Sequence, residues 1–259
     1  MKIEDIAQRA YAYRETLEAT KARIAPSEFT WYPYGTLSNF HHLQRLLGNS
    51  RHDLLDLIGT EPIVDIGAAD GDTAFFMESL GYRADVVDYA PTNFNSCRGV
   101  AALKDALQSK VNIRQVDLDA HFELPGEHYG LAFFLGILYH LKNPFGALEN
   151  LARHARHALL STRITRFNLA KGAKGSMGVN QIRAELQSIP CAYLVDPHET
   201  NNDSTNYWIF SDAGLRRILA RTGWEILEYM TVGDTKASDP ASQSGDERAF
   251  CLLRSTRLG

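Results

Sequence analysis

Apolar residues follow different patterns on either side of residue 60. Before that point they recur at helical spacing, as in 2–24 and in the segment that begins at Ser38. After it, short apolar runs alternate with amphipathic segments. We therefore expect an N-terminal helical extension over 1–59, which could cover a binding site as a lid, and one α/β domain over 60–259.

The first part of the α/β domain alternates regularly between strands and helices. The apolar run at 129–135 is almost uninterrupted, which is typical of a strand covered on both faces. Strands and helices alternating at this spacing favour right-handed βαβ units in a parallel sheet. The predicted strands are 62–66, 84–89, 111–116, 129–135 and 157–162, and the predicted helices are 72–80, 93–108 and 145–156.

The alternation stops at 164–207, where strand signals are few. We interpret this stretch as an insertion over the carboxyl edge of the sheet. A helix at 211–222 and strands at 224–231 and 248–254 follow, and the polar loop between the two strands predicts an antiparallel hairpin at one edge. The expected fold is a doubly wound, mostly parallel, seven-stranded Rossmann-like sheet with an antiparallel edge hairpin.

Composition limits the possible functions. The net charge of −4 does not favour binding of nucleic acid by overall charge, although it leaves a local basic patch open. The three cysteines are far apart in the sequence, so neither a disulfide framework nor a zinc site is expected, and no metal is expected elsewhere. No apolar run is long enough for a signal peptide or a membrane span, so we expect a soluble, cytoplasmic protein.

The strongest signal for chemistry is the sequence DIGAADGD at 65–72, between a strand and a helix. Gly67 allows a sharp turn, and small side chains after it leave room for a ligand at the helix N-terminus. Seventeen residues beyond Gly71, Asp88 ends the second strand, where a carboxylate can accept hydrogen bonds from ribose hydroxyls. The pattern therefore predicts a nucleoside site.

The spacing of the loop argues against a dinucleotide. The fingerprint G-x-G-x-x-G would need glycine at Ala69 and at Asp72. Asp70 and Asp72 would repel a phosphate but suit a cation. S-adenosylmethionine carries a sulfonium and an ammonium and no phosphate, so it is the expected cofactor, with S-adenosylhomocysteine as product.

The pattern D-x-G-x-A-x-G after the first strand resembles motif I of the class I S-adenosylmethionine-dependent methyltransferases. The resemblance implies that Asp65 and Gly67 line the methionine side of the pocket, that Asp88 binds the ribose, and that the segment around Asp117 contacts adenine. The cofactor-binding residues predicted in this way are Asp65, Gly67, Ala68, Ala69, Gly71, Asp88, Tyr89, Asp117, Leu118 and Gly136.

A narrower resemblance rests on the segment LGILYHLKNP at 135–144 and on DYAPT at 88–92. Both are similar to segments of the tRNA wobble-uridine (carboxy)methyltransferases, in which Arg248 also has a counterpart. That group has a lysine before a Pro-Tyr pair that helps to hold a carboxylated cofactor. Here Trp31 and Tyr32 precede the pair at 33–34, so plain S-adenosylmethionine is expected.

The segment 136–140 follows the fourth strand and should therefore face the transferable methyl group. His140 is the candidate general base, since an imidazole titrates near neutral pH, or it only positions the loop. Tyr139 either contacts cofactor and acceptor or packs beneath the loop. The aromatic stretch that includes Tyr34 either closes the pocket or packs the extension onto the sheet.

The stretch from Asn150 to Ala184 contains several lysines and arginines but no acidic residue. This stretch is either a solvated face or a site for an anionic acceptor such as a carboxylate, a phosphorylated sugar or an RNA backbone. The candidate acceptor-binding residues are Tyr34, Arg163, Arg166 and Arg248. The cations of the stretch are Arg153, Arg156, Arg163, Arg166, Lys171, Lys174 and Arg183.

Together these features predict a S-adenosylmethionine-dependent methyltransferase that acts on a small molecule at oxygen, nitrogen or carbon. Three alternatives stay open: a tRNA-modifying enzyme, a non-catalytic nucleoside-binding module and a nicotinamide oxidoreductase, the last disfavoured by the glycine spacing. The sequence does not indicate the oligomeric state.

Overall fold

A computed structural model gives the fold of the chain. It describes residues 5–24, 28–50, 53–120, 122–124, 128–169, 183–240 and 246–258. Lys171 and Lys174 of the basic stretch lie outside the described residues, as does the side chain of Arg183.

The main sheet is open and mostly parallel, as the sequence predicts. Its central path has seven strands in the order β10-β11-β5-β4-β1-β2-β3. The strands are β1 (Ile63–Ile66), β2 (Ala84–Asp88), β3 (Asn112–Gln115), β4 (Tyr129–Leu135), β5 (Ala155–Thr165), β6 (Phe167–Leu169), β7 (Arg183–Glu185), β8 (Ala192–Leu194), β9 (Trp208–Ser211), β10 (Trp224–Gly233) and β11 (Glu247–Ser255).

The predicted C-terminal hairpin is present, since β10 pairs with β11 in antiparallel register. The final strand, β11, is not at the edge. It also pairs antiparallel with β5 and so lies inside the sheet, while β10 forms the edge. Because of this order, β11 belongs to the buried interior of the sheet.

Helices cover both faces of the sheet and make it doubly wound. Two hydrophobic clusters lie on opposite faces, because neighbouring strand residues such as Ile63 and Val64 belong to different clusters. Ile6 and Leu17 of the N-terminal extension belong to the same cluster as Phe133, so the extension shares a core with the sheet. The helices are α1 (Ile6–Ile24), α2 (Asn39–Ser50), α3 (Leu54–Ile58), α4 (Asp72–Ser79), α5 (Arg98–Leu107), α6 (Pro144–His154) and α7 (Asp212–Arg221).

The predicted insertion contains more strand than its sequence indicates. Four short strands, β6 to β9, lie within or directly after 164–207. Strand β9 pairs parallel with the end of β5, and β8 pairs antiparallel with β9. The central path of seven strands thereby becomes a nine-stranded sheet. Strands of three or four residues are too short to show an alternating pattern, which explains why these were missed.

The second predicted helix begins later than its pattern suggests. We expected it from residue 93, but α5 begins at Arg98. The side chain of Asn93 accepts hydrogen bonds from the backbone N–H groups of Asn95 (3.1 Å) and Cys97 (2.8 Å). Asparagine side chains that bond to nearby backbone in this way favour turns over helix, so 93–97 forms a loop at the end of β2.

Among the described residues, no helix is both long enough and apolar enough to cross a membrane.

Candidate active site

The loop at 65–72, here called the glycine loop, turns tightly at the carboxyl end of β1. Gly67 and Gly71 have φ angles of +67° and +82°, and Ala69 between them has +53°. The N–H of Gly71 donates to the carbonyl of Ala68 at 2.8 Å and closes the turn. A left-handed backbone costs little at glycine, so the two glycines fix the path that the sequence predicts.

Asp88 is held rigidly beside this loop. Its Oδ2 accepts hydrogen bonds from the N–H of Ala69 (3.0 Å) and from the side chain of Asn93 (2.9 Å), and its Oδ1 accepts one from the N–H of Tyr89 (2.7 Å). Burial raises the pKa of Asp88, although these donors oppose the rise. A carboxylate oxygen has two lone pairs, so Oδ1 can still accept a hydroxyl hydrogen.

Asp65 is a buried acid at the start of the glycine loop. Only 5% of the residue is exposed, and its Oδ2 has no hydrogen-bond partner among the residues that the structure describes. Burial raises the pKa of Asp65 to about 8, and the nearby charges of Asp88 and Asp72 add to the rise. A buried carboxylate without a partner is costly, so this site favours a cationic ligand group.

Asp70 and Asp72 pair with a cation of the protein itself. We interpreted them as groups that attract a cationic ligand, but Lys21 of α1 occupies that position. Its Nζ lies 3.1 Å from Asp72 Oδ1 and 3.7 Å from Asp70 Oδ2, with all three side chains buried. Asp70 also accepts hydrogen bonds from the backbone N–H of Tyr32 (2.8 Å) and the side chain of Asn95 (2.8 Å).

This pairing attaches the N-terminal extension to the glycine loop. It also places a carboxylate in the first turn of α4, where a pyrophosphate would bind in a dinucleotide fold. A phosphate at this helix end would meet the carboxylate of Asp72, whose charge Lys21 partly offsets.

The segment predicted to contact adenine lies next to Asp88. The N–H of Val116 donates to the carbonyl of Asp88 at 3.0 Å. Asp117 follows and is half-buried, while Leu118 is buried. One oxygen of Asp117 accepts the N–H of Asp119 at 3.0 Å, which orients the carboxylate.

Gly136, Tyr139 and Arg248 come together at the end of β4. Gly136 has a φ of +75°, and a Cβ built on it would lie 3.7 Å from the hydroxyl of Tyr139 and 3.8 Å from Nη1 of Arg248. That guanidinium nitrogen donates to the Tyr139 hydroxyl at 3.3 Å. Ends of parallel strands meet at one sheet edge, so this cluster lies on the same edge as the glycine loop and Asp88.

A family model described as a methyltransferase domain matches residues 40–229, which is well over half of the chain. The chain belongs to this methyltransferase family. The match runs from α2 into β10 and includes the glycine loop, Asp88 and Tyr139. It confirms the predicted class of enzyme, while the narrower likeness to the tRNA group stays a prediction.

Solved structures agree with the fold of the methyltransferase. The N-terminal domain of EvdMO1 with S-adenosylhomocysteine bound is 15% identical, with 94% of this chain and 96% of that one covered and a TM-score of 0.53. A protein of Bacillus halodurans C-125 assigned as a methyltransferase is 12% identical, with 83% and 98% covered and a TM-score of 0.54. Identities this low establish the fold alone. No curated protein matches the sequence.

His140 of the methyltransferase lies in the short 3-10 turn Leu138–His140, here called the histidine turn. Its Nδ1 contacts Thr205, and burial lowers its pKa more than Thr205 and Asp203 raise it. The imidazole is therefore neutral near pH 7 and can accept a proton. The backbone N–H of Tyr207 donates to the carbonyl of Tyr139 at 2.8 Å, so residues 205–207 pack directly on this turn.

The predicted acceptor-binding arginines have different surroundings. Arg166 makes two parallel hydrogen bonds to the fully buried Glu247, with Nε to Oε2 at 2.9 Å and Nη2 to Oε1 at 2.9 Å. Arg163 is buried and lies 3.5 Å from Asp246. Arg166 is thus paired with a buried carboxylate, whereas Arg163 and Arg248 both contact Asp246, and Arg248 also lies beside Tyr139.

Tyr34 lies at the surface, with 71% of the residue exposed. Its ring packs edge-on against Tyr32 at 5.4 Å between centroids, and Tyr32 packs in the same way against Phe94 at 5.7 Å. Burial raises the pKa of Tyr32 to about 12, and Tyr139 adds to the rise. Tyr34 therefore belongs to an aromatic cluster beside the histidine turn, while Trp31 packs on the core.

Several residues at the site were not predicted. Lys21 is one lysine of a charged helix, and nothing in its sequence context distinguishes it. Asn93 and Asn95 had a signal, because two asparagines so soon after a strand-terminating aspartate are typical of a structured turn. Thr205 and Asp203 lie far from His140 in sequence, so only the folded chain shows their contact.

Proposed function

We propose that this S-adenosylmethionine-dependent methyltransferase acts on a small-molecule acceptor. The supporting observation is that the basic stretch is neutralised in the described part of the chain. A phosphate backbone would have to compete with carboxylates for these arginines. The pairs are Arg153 with Glu149, Arg156 with Glu61, Arg163 with Asp246 and Arg166 with Glu247.

The residues of the glycine loop fit S-adenosylmethionine. The buried Oδ2 of Asp65 suits an ammonium group, and Asp88 suits the ribose. In this proposal the adenine lies against Asp117 and Leu118. When bound, the cofactor supplies a methyl carbon activated by its sulfonium, so orientation of the acceptor provides much of the rate enhancement.

The acceptor is proposed to lie beside Tyr139, His140 and Arg248. Arg248 suits an anionic group, since the Tyr139 hydroxyl orients its guanidinium at 3.3 Å, and an anion would have to compete only with the exposed carboxylate of Asp246, 3.7 Å from Nε. The neutral imidazole of His140 suits an acceptor that must lose a proton.

Cofactor binding should depend on pH through Asp65. Its pKa of about 8 means that the carboxyl is mostly protonated near neutral pH, and a cationic ligand requires the ionised form. S-adenosylhomocysteine should therefore bind more tightly as pH rises toward 8, by up to about tenfold per pH unit, with release of a proton. Calorimetry in buffers of different ionisation enthalpy measures both quantities.

Two controls isolate the ammonium. 5′-Methylthioadenosine lacks the amino-acid part of the cofactor, so its affinity should not change over the same pH range. The Asp65→Asn variant should bind S-adenosylhomocysteine weakly and without this pH dependence. An equal pH dependence for both ligands would contradict the placement of the ammonium at Asp65.

The acceptor class is tested by methyl transfer from labelled S-adenosylmethionine to two fractions of the source organism, its small molecules and its total tRNA. We expect label in the small-molecule fraction, and none with an Asp88→Asn variant. Label in tRNA, together with a missing modified nucleoside in a deletion strain, would support the tRNA alternative instead. Binding of S-adenosylhomocysteine without label in either fraction would support a non-catalytic binding module.

A further inference from the structure

The side chain of His140 ends a short chain of hydrogen bonds that begins on a distant segment. Its Nδ1 lies 2.9 Å from Oγ1 of Thr205 and 3.1 Å from the carbonyl oxygen of the same residue. Oγ1 of Thr205 in turn lies 2.6 Å from Oδ1 of Asp203, which also accepts the N–H of Thr205 at 2.9 Å. These three residues connect the loop before β9 to the histidine turn.

The donors and acceptors of this chain determine which ring nitrogen carries the proton. An ionised aspartate can only accept, so the single hydroxyl hydrogen of Thr205 is donated to Asp203. Toward His140, Thr205 then offers two acceptors, its hydroxyl oxygen and its carbonyl oxygen. Nδ1 must therefore be protonated, which leaves Nε2 of the neutral ring as the unprotonated nitrogen.

We propose that Asp203 and Thr205 are positioning residues that hold His140 in the Nδ1–H tautomer, with Nε2 as the atom that accepts the proton of the methyl acceptor. The inference rests on the proposed function and extends it to residues outside the family's glycine loop. In the step, the acceptor atom keeps the electron pair of its bond to hydrogen, and the proton moves to Nε2. The imidazolium that forms keeps its Nδ1–H bond to Thr205.

The charges around His140 agree with this role. Burial lowers its pKa, and Arg248 lowers it further, so the ring is neutral before the reaction. Asp203 and the carbonyl of Thr205 raise the pKa and would stabilise the imidazolium. The ring of Tyr139 also packs against His140, with 4.2 Å between the two ring centroids. The same arrangement orients catalytic histidines elsewhere, where an acceptor on one nitrogen fixes the tautomer of the other.

The tautomer can be measured without knowledge of the acceptor. Nitrogen-15 NMR of histidine-labelled protein, with the His140→Gln variant to assign the resonance, distinguishes Nδ1–H from the Nε2–H form that predominates in free imidazole side chains. We expect the Nδ1–H form for His140 at a pH where the ring is neutral. Observation of the Nε2–H form would overturn the inference while leaving the proposed function intact.

Thr205 provides the matched variants. Thr205 is exposed, so the Thr205→Val variant should fold. The variant lacks the hydroxyl that accepts the Nδ1–H of His140, so the pKa of His140 should fall. We expect kcat to fall about tenfold and the KM for S-adenosylmethionine to stay unchanged. Thr205→Ser should restore both, and Thr60→Val, at the opposite edge of the sheet, should change neither. A Thr205→Val variant with the pKa and kcat of the unmodified protein would contradict the positioning role.

Discussion

Replacement of Lys21 by methionine is expected to lower the free energy of unfolding by about 3–5 kcal/mol, since removing one partner of a buried ion pair leaves uncompensated charge. Only 8% of the lysine side chain is exposed, and the two side chains that it contacts, of Asp70 and Asp72, are buried as well. Methionine keeps most of the apolar stem and removes only the charge. Urea denaturation followed by circular dichroism measures the change.

Two comparisons make the Lys21 prediction specific. Lys110→Met removes an exposed lysine and should change the free energy of unfolding by less than about 0.5 kcal/mol. The double variant Lys21→Met with Asp72→Asn should be more stable than Lys21→Met alone, because one of the buried charges is gone. If the single and double variants unfold at the same urea concentration, the ion pair has no part in attaching α1 to the glycine loop.

Replacement of Gly67 by alanine is expected to weaken binding of S-adenosylhomocysteine by about 30-fold or more, equivalent to about 2 kcal/mol. A Cβ at Gly67 would lie 2.7 Å from Cδ1 and 2.9 Å from Cγ1 of Ile137, so either the glycine loop or Ile137 must move. Ile137 directly precedes the histidine turn, and both segments line the proposed pocket. The clash therefore disturbs the cofactor side and the acceptor side together.

Gly59 supplies the matched control for this variant. Its φ of +63° is almost that of Gly67, but nothing lies within 4 Å of a Cβ built on it. Both alanine variants carry the backbone penalty of about 1–2 kcal/mol, whereas only Gly67→Ala has the clash. Calorimetric titration should find normal affinity in Gly59→Ala. Equal affinities in the two variants would show that Gly67 does not shape the binding site.

The order of helices and strands could be predicted well, because each element has a local pattern. The run at 129–135 is the strand that the structure contains, and the glycine loop occupies the expected place between β1 and α4. Long parallel strands covered on both faces produce apolar runs that are easy to recognise. The α/β class and the methyltransferase family both follow from these local features.

The partners of charged residues could not be predicted, because they depend on contacts between distant segments. Asp72 pairs with a lysine 51 residues away, and Arg166 with a glutamate 81 residues away. When the partners are unknown, a run of cationic residues is interpreted as a binding surface, and the two acids Asp70 and Asp72 are interpreted as a site for a cation. Both interpretations change because the structure shows the residues of opposite charge that contact them. Arg248 differs because its Tyr139 partner lies at the predicted sheet edge.

The place of β11 inside the sheet has a consequence for assembly of the molecule. Ribosomal synthesis proceeds from the amino end, and domains form as their segments emerge. The edge strand β10 can join the sheet only through β11, which is made after all the other strands described. Arg248 is on that strand, so the proposed anion-binding group reaches the site only when β11 pairs with β5 and brings β10 into the sheet with it.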